Sequence, residues 1–194
     1  MKQVRLLAIC SLALAAIGAI FAPLAMGNGY SWLANSISET GAQGVQNAWL
    51  GRTTLALSGV GVLLTIVLRL RSWNRIAVAS MSLFGLMWCL TAVFSTRSWV
   101  ATTPFNATES TIHSVLASAM AIVVLGALAV GLSRRTRSAV ERALALSLAA
   151  AATFLTLAGV LMPGLAGLFQ RVMFLFTYFW FLRQATKAKL LANI

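Results

Sequence analysis

The sequence predicts an all-α integral membrane protein, a bundle of six transmembrane helices in a single membrane domain over residues 1–194. Three observations support this fold class. The chain has 194 residues, of which 60% are hydrophobic and 9% are charged, whereas about a quarter of the residues of an ordinary soluble domain are charged. Six apolar runs each approach about 20 residues, the length that crosses a bilayer. The connections between these runs are too short to form a separate soluble domain.

The first predicted helix, residues 6–26, carries no charge and follows Lys2 and Arg5. A charged start before an apolar run is also typical of a signal peptide. Pro23 directly after Ala22 makes a poor cleavage site, however, so we expect an uncleaved helix. A polar loop at residues 27–46 follows and contains no lysine or arginine.

The other five helices are predicted at residues 47–70, 74–96, 111–132, 141–162 and 165–186. A second polar loop, at residues 97–110, separates the third helix from the fourth. Pro163 and Gly164 form a tight turn signal between the last two helices. Each helix therefore runs antiparallel to the one before it.

Twelve of the fifteen basic residues lie on one side of this predicted bundle. They are Lys2, Arg5, Arg69, Arg71, Arg75, Arg134, Arg135, Arg137, Arg142, Arg183, Lys187 and Lys189. Lysine and arginine accumulate in the cytoplasmic segments of membrane proteins, so this side and both chain termini are predicted to be cytoplasmic. The net charge of +12 is explained as an orientation signal and does not indicate a nucleic-acid partner.

Two of the remaining arginines are predicted to lie below the opposite membrane surface. Arg171 is twelve residues from Arg183, which is about 18 Å along a helix, while the hydrocarbon core is about 30 Å thick. Arg52 is about 25 Å from Arg69 by the same measure. A charge at such depth normally faces the bundle interior and has a partner.

Glu39 and Glu109 are the expected carboxylate partners of these arginines. Ser36 to Glu39 and Asn106 to Glu109 also have the spacing of a helix N-terminal cap, so each glutamate could serve only as a cap. Arg171 could likewise be a structural pairing residue that binds no ligand. His113 follows Glu109 by four residues and shares its helix face. That pair could stabilise the helix or form a catalytic dyad.

The residue inventory excludes several kinds of site. A single histidine excludes a bis-histidine haem and a three-histidine zinc site, and there is no Gly-rich phosphate loop or G-x-S-x-G motif. Glu39, Glu109 and His113 together could bind a cation, but we expect no metal and no cofactor. Nucleophilic catalysis with His113 as general base is chemically possible. The candidate nucleophiles are Ser36, Ser38, Ser110 and Ser114.

Three short motifs then stand out: residues 30–42 (YSWLANSISETGA), the pair His113-Ser114, and residues 167–171 (GLFQR). Their order and placement resemble the prokaryotic membrane proteins catalogued as domain of unknown function 998 (DUF998). The resemblance covers nearly the whole chain and implies a six-helix bundle that crosses the prokaryotic cytoplasmic (inner) membrane several times. It marks Ser36, Glu39, His113, Gln170 and Arg171 as family-like positions, and it implies no reaction.

The leading hypothesis is a protein that binds or handles an amphipathic, lipid-like ligand in a polar cavity open to the extracytoplasmic leaflet. The ligand is expected to be anionic, because guanidinium groups bind phosphate and carboxylate bidentately. The predicted ligand-binding residues are Arg171, Arg52, Gln170, Ser36 and Ser38.

Two alternatives stay open. An intramembrane lipid hydrolase or transferase would use His113 with Glu39 or Glu109 as catalytic residues, so the sequence does not decide whether the chain is an enzyme. With one histidine it departs from the membrane hydrolases that include alkaline ceramidases. An accessory subunit of a larger membrane complex would use the polar residues for structure alone. The expected partner is a membrane lipid, with a membrane-protein partner or a second copy of the chain as further possibilities.

Overall fold

The computed structural model describes residues 1–27, 29–136 and 138–188. These residues form seven α-helices, and 3₁₀ turns lie at Ala22–Ala25, Ser38–Gly41 and Pro163–Leu165. Six helical segments are long and apolar enough to cross a membrane, which confirms the all-α fold with six spans. The helices are α1 (Lys2–Phe21), α2 (Ala48–Arg69), α3 (Arg75–Val93), α4 (Ala107–Ala119), α5 (Ile122–Gly131), α6 (Ala139–Leu161) and α7 (Ala166–Lys187).

The spans form a ring in which each helix packs against its neighbours. The contacts run from α1 to α2, α3, α5, α6 and α7 and back to α1, and α2 also contacts α7. Aromatic side chains fill the interior. The ring of Trp88 on α3 stacks on Tyr178 with centroids 5.6 Å apart and meets Phe174 edge-on at 4.8 Å. Offset and edge-on aromatic pairs of this kind stabilise a core beyond their buried area.

The predicted helix boundaries differ most from the structure at the first and fourth spans. α1 begins at Lys2 rather than at residue 6 and ends at Phe21, before the 3₁₀ turn that contains Pro23. α4 begins at Ala107 rather than at residue 111. Its early start has a clear cause, because Asn106 Oδ1 accepts a hydrogen bond from the Glu109 N–H at 3.1 Å and caps the helix.

The fourth span is also broken between α4 and α5, which the sequence analysis did not predict. The break lies at Met120 and Ala121, where there is no proline or glycine. The hydroxyl of Ser114 donates to the Ser110 carbonyl at 3.0 Å, and that of Ser118 donates to the Ser114 carbonyl at 2.8 Å. Bonds from serine to the carbonyl four residues earlier bend helices, and here they immediately precede the break.

The two ends of the bundle differ in composition. The polar end is formed by residues 29–47 and 94–106, and the basic end by the opposite helix termini. At the basic end Glu141 accepts hydrogen bonds from Arg183 Nε (2.9 Å), Gln184 Nε2 (2.7 Å) and Lys187 Nζ (2.9 Å). Arg137 and Lys189, which were counted among the basic residues of this end, lie outside the described residues.

Candidate functional site

At the polar end, Arg171 on α7 holds a loop formed by residues 30–41, here called the docked loop. The Arg171 side chain is buried, with 1% of its surface exposed. Its Nη1 donates to the carbonyls of Trp32 (2.7 Å) and Asn35 (2.8 Å), and its Nη2 donates to the hydroxyl of Tyr30 (2.6 Å). The guanidinium also lies 4.7 Å from the centre of the Trp32 ring, a cation–π distance. Arg171 therefore binds the loop through its backbone as well as its aromatic side chains.

The other residues of the GLFQR segment complete this contact. Gln170 Oε1 accepts a hydrogen bond from the Ile37 N–H at 2.6 Å, and the Leu168 N–H donates to the Leu33 carbonyl at 2.9 Å. Gly167 lets the two chains approach, since a Cβ there would collide with the carbonyl oxygen of Asn35. Two of the sequence motifs thus meet in space along one docking surface.

Tyr30 connects Arg171 to the rest of the docked loop. Burial raises the pKa of Tyr30 to about 12, although the neighbouring Arg171 acts in the opposite direction. The phenol is therefore protonated at neutral pH. It donates to the Ser36 carbonyl at 2.8 Å while it accepts from Arg171.

Glu39 stabilises the docked loop locally and does not pair with an arginine. Its Oε2 accepts from the Ser36 N–H at 2.6 Å, and the Ser36 hydroxyl accepts from the Glu39 N–H at 3.2 Å. Its Oε1 accepts from the Asn35 side chain at 3.2 Å. This reciprocal pair is a capping box, placed here before a 3₁₀ turn. The expectation that Glu39 is the partner of Arg171 is wrong.

Arg52 holds the far end of the docked loop against α2. Its Nε donates to the Gly41 carbonyl at 3.0 Å, and the side chain is half-buried. In the described part of the chain, the ion pairs within 4 Å all involve Glu141. The predicted carboxylate partners of Arg52 are therefore replaced by a backbone carbonyl.

Glu109 and His113 belong to a second cluster, which holds the chain where it leaves α3. Glu109 Oε1 accepts from the Ser95 N–H at 2.6 Å. His113, which is buried, has its Nδ1 2.7 Å from the Phe94 carbonyl, so this nitrogen carries the hydrogen and donates. The Gln43 side chain adds three bonds across the loops. Its Nε2 donates to the carbonyls of Ser95 (2.8 Å) and Asn106 (3.3 Å), and its Oε1 accepts from the Asn106 N–H at 2.7 Å.

The predicted catalytic residues are therefore distributed over two clusters. Glu39 lies in the docked loop, whereas Glu109 and His113 bind residues 94 and 95. The hydroxyl hydrogen of Ser114 is used by the Ser110 carbonyl and does not point to a histidine base. Across the described ranges, no three histidine, cysteine or acidic side chains come together as metal ligands would.

A cavity of about 670 Å³ opens between α3 and the α4–α5, α6 and α7 spans. Its polar end is lined by Ser36, Ser38 and Gln170, three of the predicted ligand-binding residues. From there α7 contributes Met173, Phe174 and Thr177 to the wall. Sequence analysis missed these last three, although they follow Gln170 at positions i+3, i+4 and i+7 of one helix face.

The break in the fourth span positions this cavity. α5 packs against both α3 and α6, whereas α4 packs against α3 and makes no comparable contact with α6 or α7 among the described residues. Met120 and Ala121, at the break, both line the cavity. The space between α4 and the last two spans is thus left unfilled near the polar end.

No curated protein and no solved structure matches the chain. A family model described as protein of unknown function (DUF998) matches residues 8–186, a range that includes the docked loop, the second cluster and the GLFQR segment. The chain therefore belongs to the DUF998 family, as the resemblance of its motifs predicted.

Proposed function

We propose that this multi-pass membrane protein binds an amphipathic, lipid-like molecule in the cavity between α3 and the last three spans. The observation that carries the proposal is the cavity itself, with an aromatic and aliphatic wall and a polar end formed by Ser36, Ser38 and Gln170. Its volume of about 670 Å³ is within the range of about 300–1,000 Å³ that small-molecule sites occupy. The apolar chain of the ligand would lie along the wall, and its polar end would meet the docked loop.

Arg171 and Arg52 have a positioning role in this proposal. Both were predicted to bind the head group directly, but their hydrogen bonds go to the docked loop and neither lines the cavity. The docked loop carries Ser36 and Ser38. By fixing this loop, the two arginines would fix the donors that meet the ligand.

The proposed setting is a prokaryotic cytoplasmic membrane with the polar end facing outward. Of the twelve basic residues assigned to the basic end, ten remain after Arg137 and Lys189 are left out. The polar end has Arg52, Arg97 and Arg171. This asymmetry supports cytoplasmic termini by the preference of lysine and arginine for that side.

Cysteine labelling in intact cells tests this orientation. Thr102→Cys at the polar end should react with a membrane-impermeant maleimide from outside, and Ser138→Cys at the basic end should react only after permeabilisation. Cys10 and Cys89 are replaced by serine in both variants. The opposite pattern would refute the orientation.

Photocrosslinking tests the ligand site. The protein in nanodiscs is irradiated with methyl stearate that carries a diazirine in mid-chain, and the adducts are mapped by mass spectrometry. We expect adducts on cavity-lining residues and their loss in Ala121→Phe, which fills the cavity. Ala150→Phe is the control, because Ala150 is exposed on α6 and does not line the cavity. Adducts spread over all outward surfaces alike in the three proteins would refute the proposal.

A further inference from the structure

We infer that the cavity selects a molecule whose polar end is uncharged and accepts hydrogen bonds, as the carbonyl of a fatty ester or ketone does. The inference rests on the proposed function and names the chemical class of its ligand. It follows from two features of the lining: the absence of charge and the direction of the hydrogen bonds.

The described lining of the cavity contains no charged side chain. Arg171 on α7 and Glu39 within the docked loop, one charge of each sign, do not line the cavity, and both are bonded to the backbone of the loop. A charged head group in the cavity would lose its hydration without gaining a partner of opposite sign, and such desolvation is costly. The anionic head group expected from the sequence would therefore find no guanidinium in the cavity.

The polar end of the cavity nevertheless offers hydrogen-bond donors. Gln170 uses its Oε1 to accept from the Ile37 N–H, and within the described ranges its Nε2 donates to no other group. Ser36 Oγ accepts from the Glu39 N–H and keeps its own hydrogen. The hydroxyl of Ser38 has no partner in the described residues. Up to four N–H and O–H hydrogens therefore remain to bind an acceptor, counting two on an amide and one on each hydroxyl.

The hydroxyl groups elsewhere in the cavity are already used. Thr153, Thr156 and Thr177 each donate to the carbonyl four residues earlier, at 2.9, 2.6 and 2.8 Å. Thr91 donates to the Trp88 carbonyl at 2.8 Å. The free hydroxyl and amide donors are thus confined to one end. The Trp88 Nε1 also lacks a partner among the described residues, but this atom is buried and does not reach the cavity surface. The rest of the wall suits an apolar chain.

Three probes with the same stearyl chain and diazirine, ending in a methyl ester, a carboxylate or a primary ammonium, distinguish the possible head groups. In wild-type protein we expect the ester to give the strongest cavity adducts. Gln170→Glu keeps an oxygen for the Ile37 N–H but removes both N–H donors. At mildly alkaline pH, cavity labelling by the ester should fall about tenfold and labelling by the ammonium should exceed it.

A second variant keeps the test informative if Gln170→Glu perturbs the fold. Ser38→Ala removes a hydroxyl with no other role and should lower ester labelling about threefold. Thr156→Val, which removes a hydroxyl that is already bonded, is the matched control and should leave the ranking of the three probes unchanged.

The outcomes separate this inference from the proposed function. Equal cavity labelling by all three probes in wild-type protein, or preferred labelling by the carboxylate, would overturn the inference and leave a cavity that binds lipid chains. Failure of every probe to label the cavity in wild-type protein would overturn both.

Discussion

Replacing Arg171 by methionine should release the docked loop while leaving the helix bundle intact. Methionine keeps much of the side-chain volume and the apolar stem but donates no hydrogen bond. The Trp32 and Asn35 carbonyls and the Tyr30 hydroxyl would each lose the hydrogen bond that Arg171 donates. These acceptors regain hydrogen bonds if the loop leaves α7 and binds water.

The size of the effect follows from these three hydrogen bonds. A bond to a charged group contributes about 1.5–3 kcal/mol, so three contribute about 4.5 kcal/mol at the lower limit. The desolvation of the buried guanidinium offsets part of this gain. We therefore expect the variant to weaken loop docking by about 3 kcal/mol, which is about a hundredfold in the docking equilibrium.

Hydrogen–deuterium exchange of the protein in nanodiscs measures this change. Amides of residues 31–39 that are bonded in the docked state, such as the Ile37 N–H, should exchange about a hundredfold faster in Arg171→Met. Arg171→Lys keeps the charge but not the planar fork, so its effect should be smaller. Arg183→Met, twelve residues further along α7, is the control and should leave the loop protected.

A different result would refute the reasoning. If exchange of the docked loop in Arg171→Met stayed within about threefold of wild type, the other contacts of the loop would be sufficient and Arg171 would not be its main anchor. If exchange rose equally in α3, the variant would have unfolded the bundle rather than the loop.

Three further predictions concern single residues. Gly167→Ala should release the docked loop, because its Cβ would collide with the Asn35 carbonyl, whereas Gly164→Ala meets no atom within 4 Å and should be neutral in the same exchange experiment. Docking of the loop should weaken as the pH rises from about 10 to about 12, because Tyr30 ionises near its ordinary pKa when the loop is released but stays protonated when the loop is docked. Tyrosinate absorbance would show a step near pH 12 that is lost in Tyr30→Phe. Glu141→Gln should lower the free energy of unfolding by about 1 kcal/mol, because it removes the charge that pairs with Arg183 and Lys187. Thermal unfolding measures this loss, and molar salt should reduce the difference from wild type. A difference that grew with salt would contradict a stabilising ion pair at Glu141.

The fold was predictable because membrane spans are encoded by long apolar runs. Six such runs become six spans, and the caps at Ser36 and Asn106 form as their spacing indicated. The break in the fourth span was not predictable from hydropathy, because its residues remain apolar through Met120 and Ala121. The hydroxyl bonds of Ser114 and Ser118 precede the break, but Thr153 and Thr156 make the same bonds in the continuous α6, so a serine at such a position does not mark a break in the sequence.

The burial of Arg171 was predictable from the sequence, but its hydrogen-bond partners were not. Charge depth correctly singled out Arg171 as a buried residue. The expected partners, however, were carboxylates such as Glu39, because acidic side chains can be identified directly in a sequence. The acceptors are instead the backbone carbonyls of Trp32 and Asn35. Because every residue has a backbone carbonyl, residue type does not indicate which carbonyls accept hydrogen bonds from Arg171.

The bond between Arg171 and the docked loop also sets an order of assembly. Arg171 lies 139 residues after Trp32 in the chain, so the loop is synthesised long before its anchor. During insertion the arginine costs at most about 2.5–3.5 kcal/mol, the value for the centre of a span, and apolar neighbours such as Phe169 and Val172 offset this cost. The first polar loop therefore stays undocked until the last span has entered the membrane. A chain that stops short of α7 would leave this loop without its anchor.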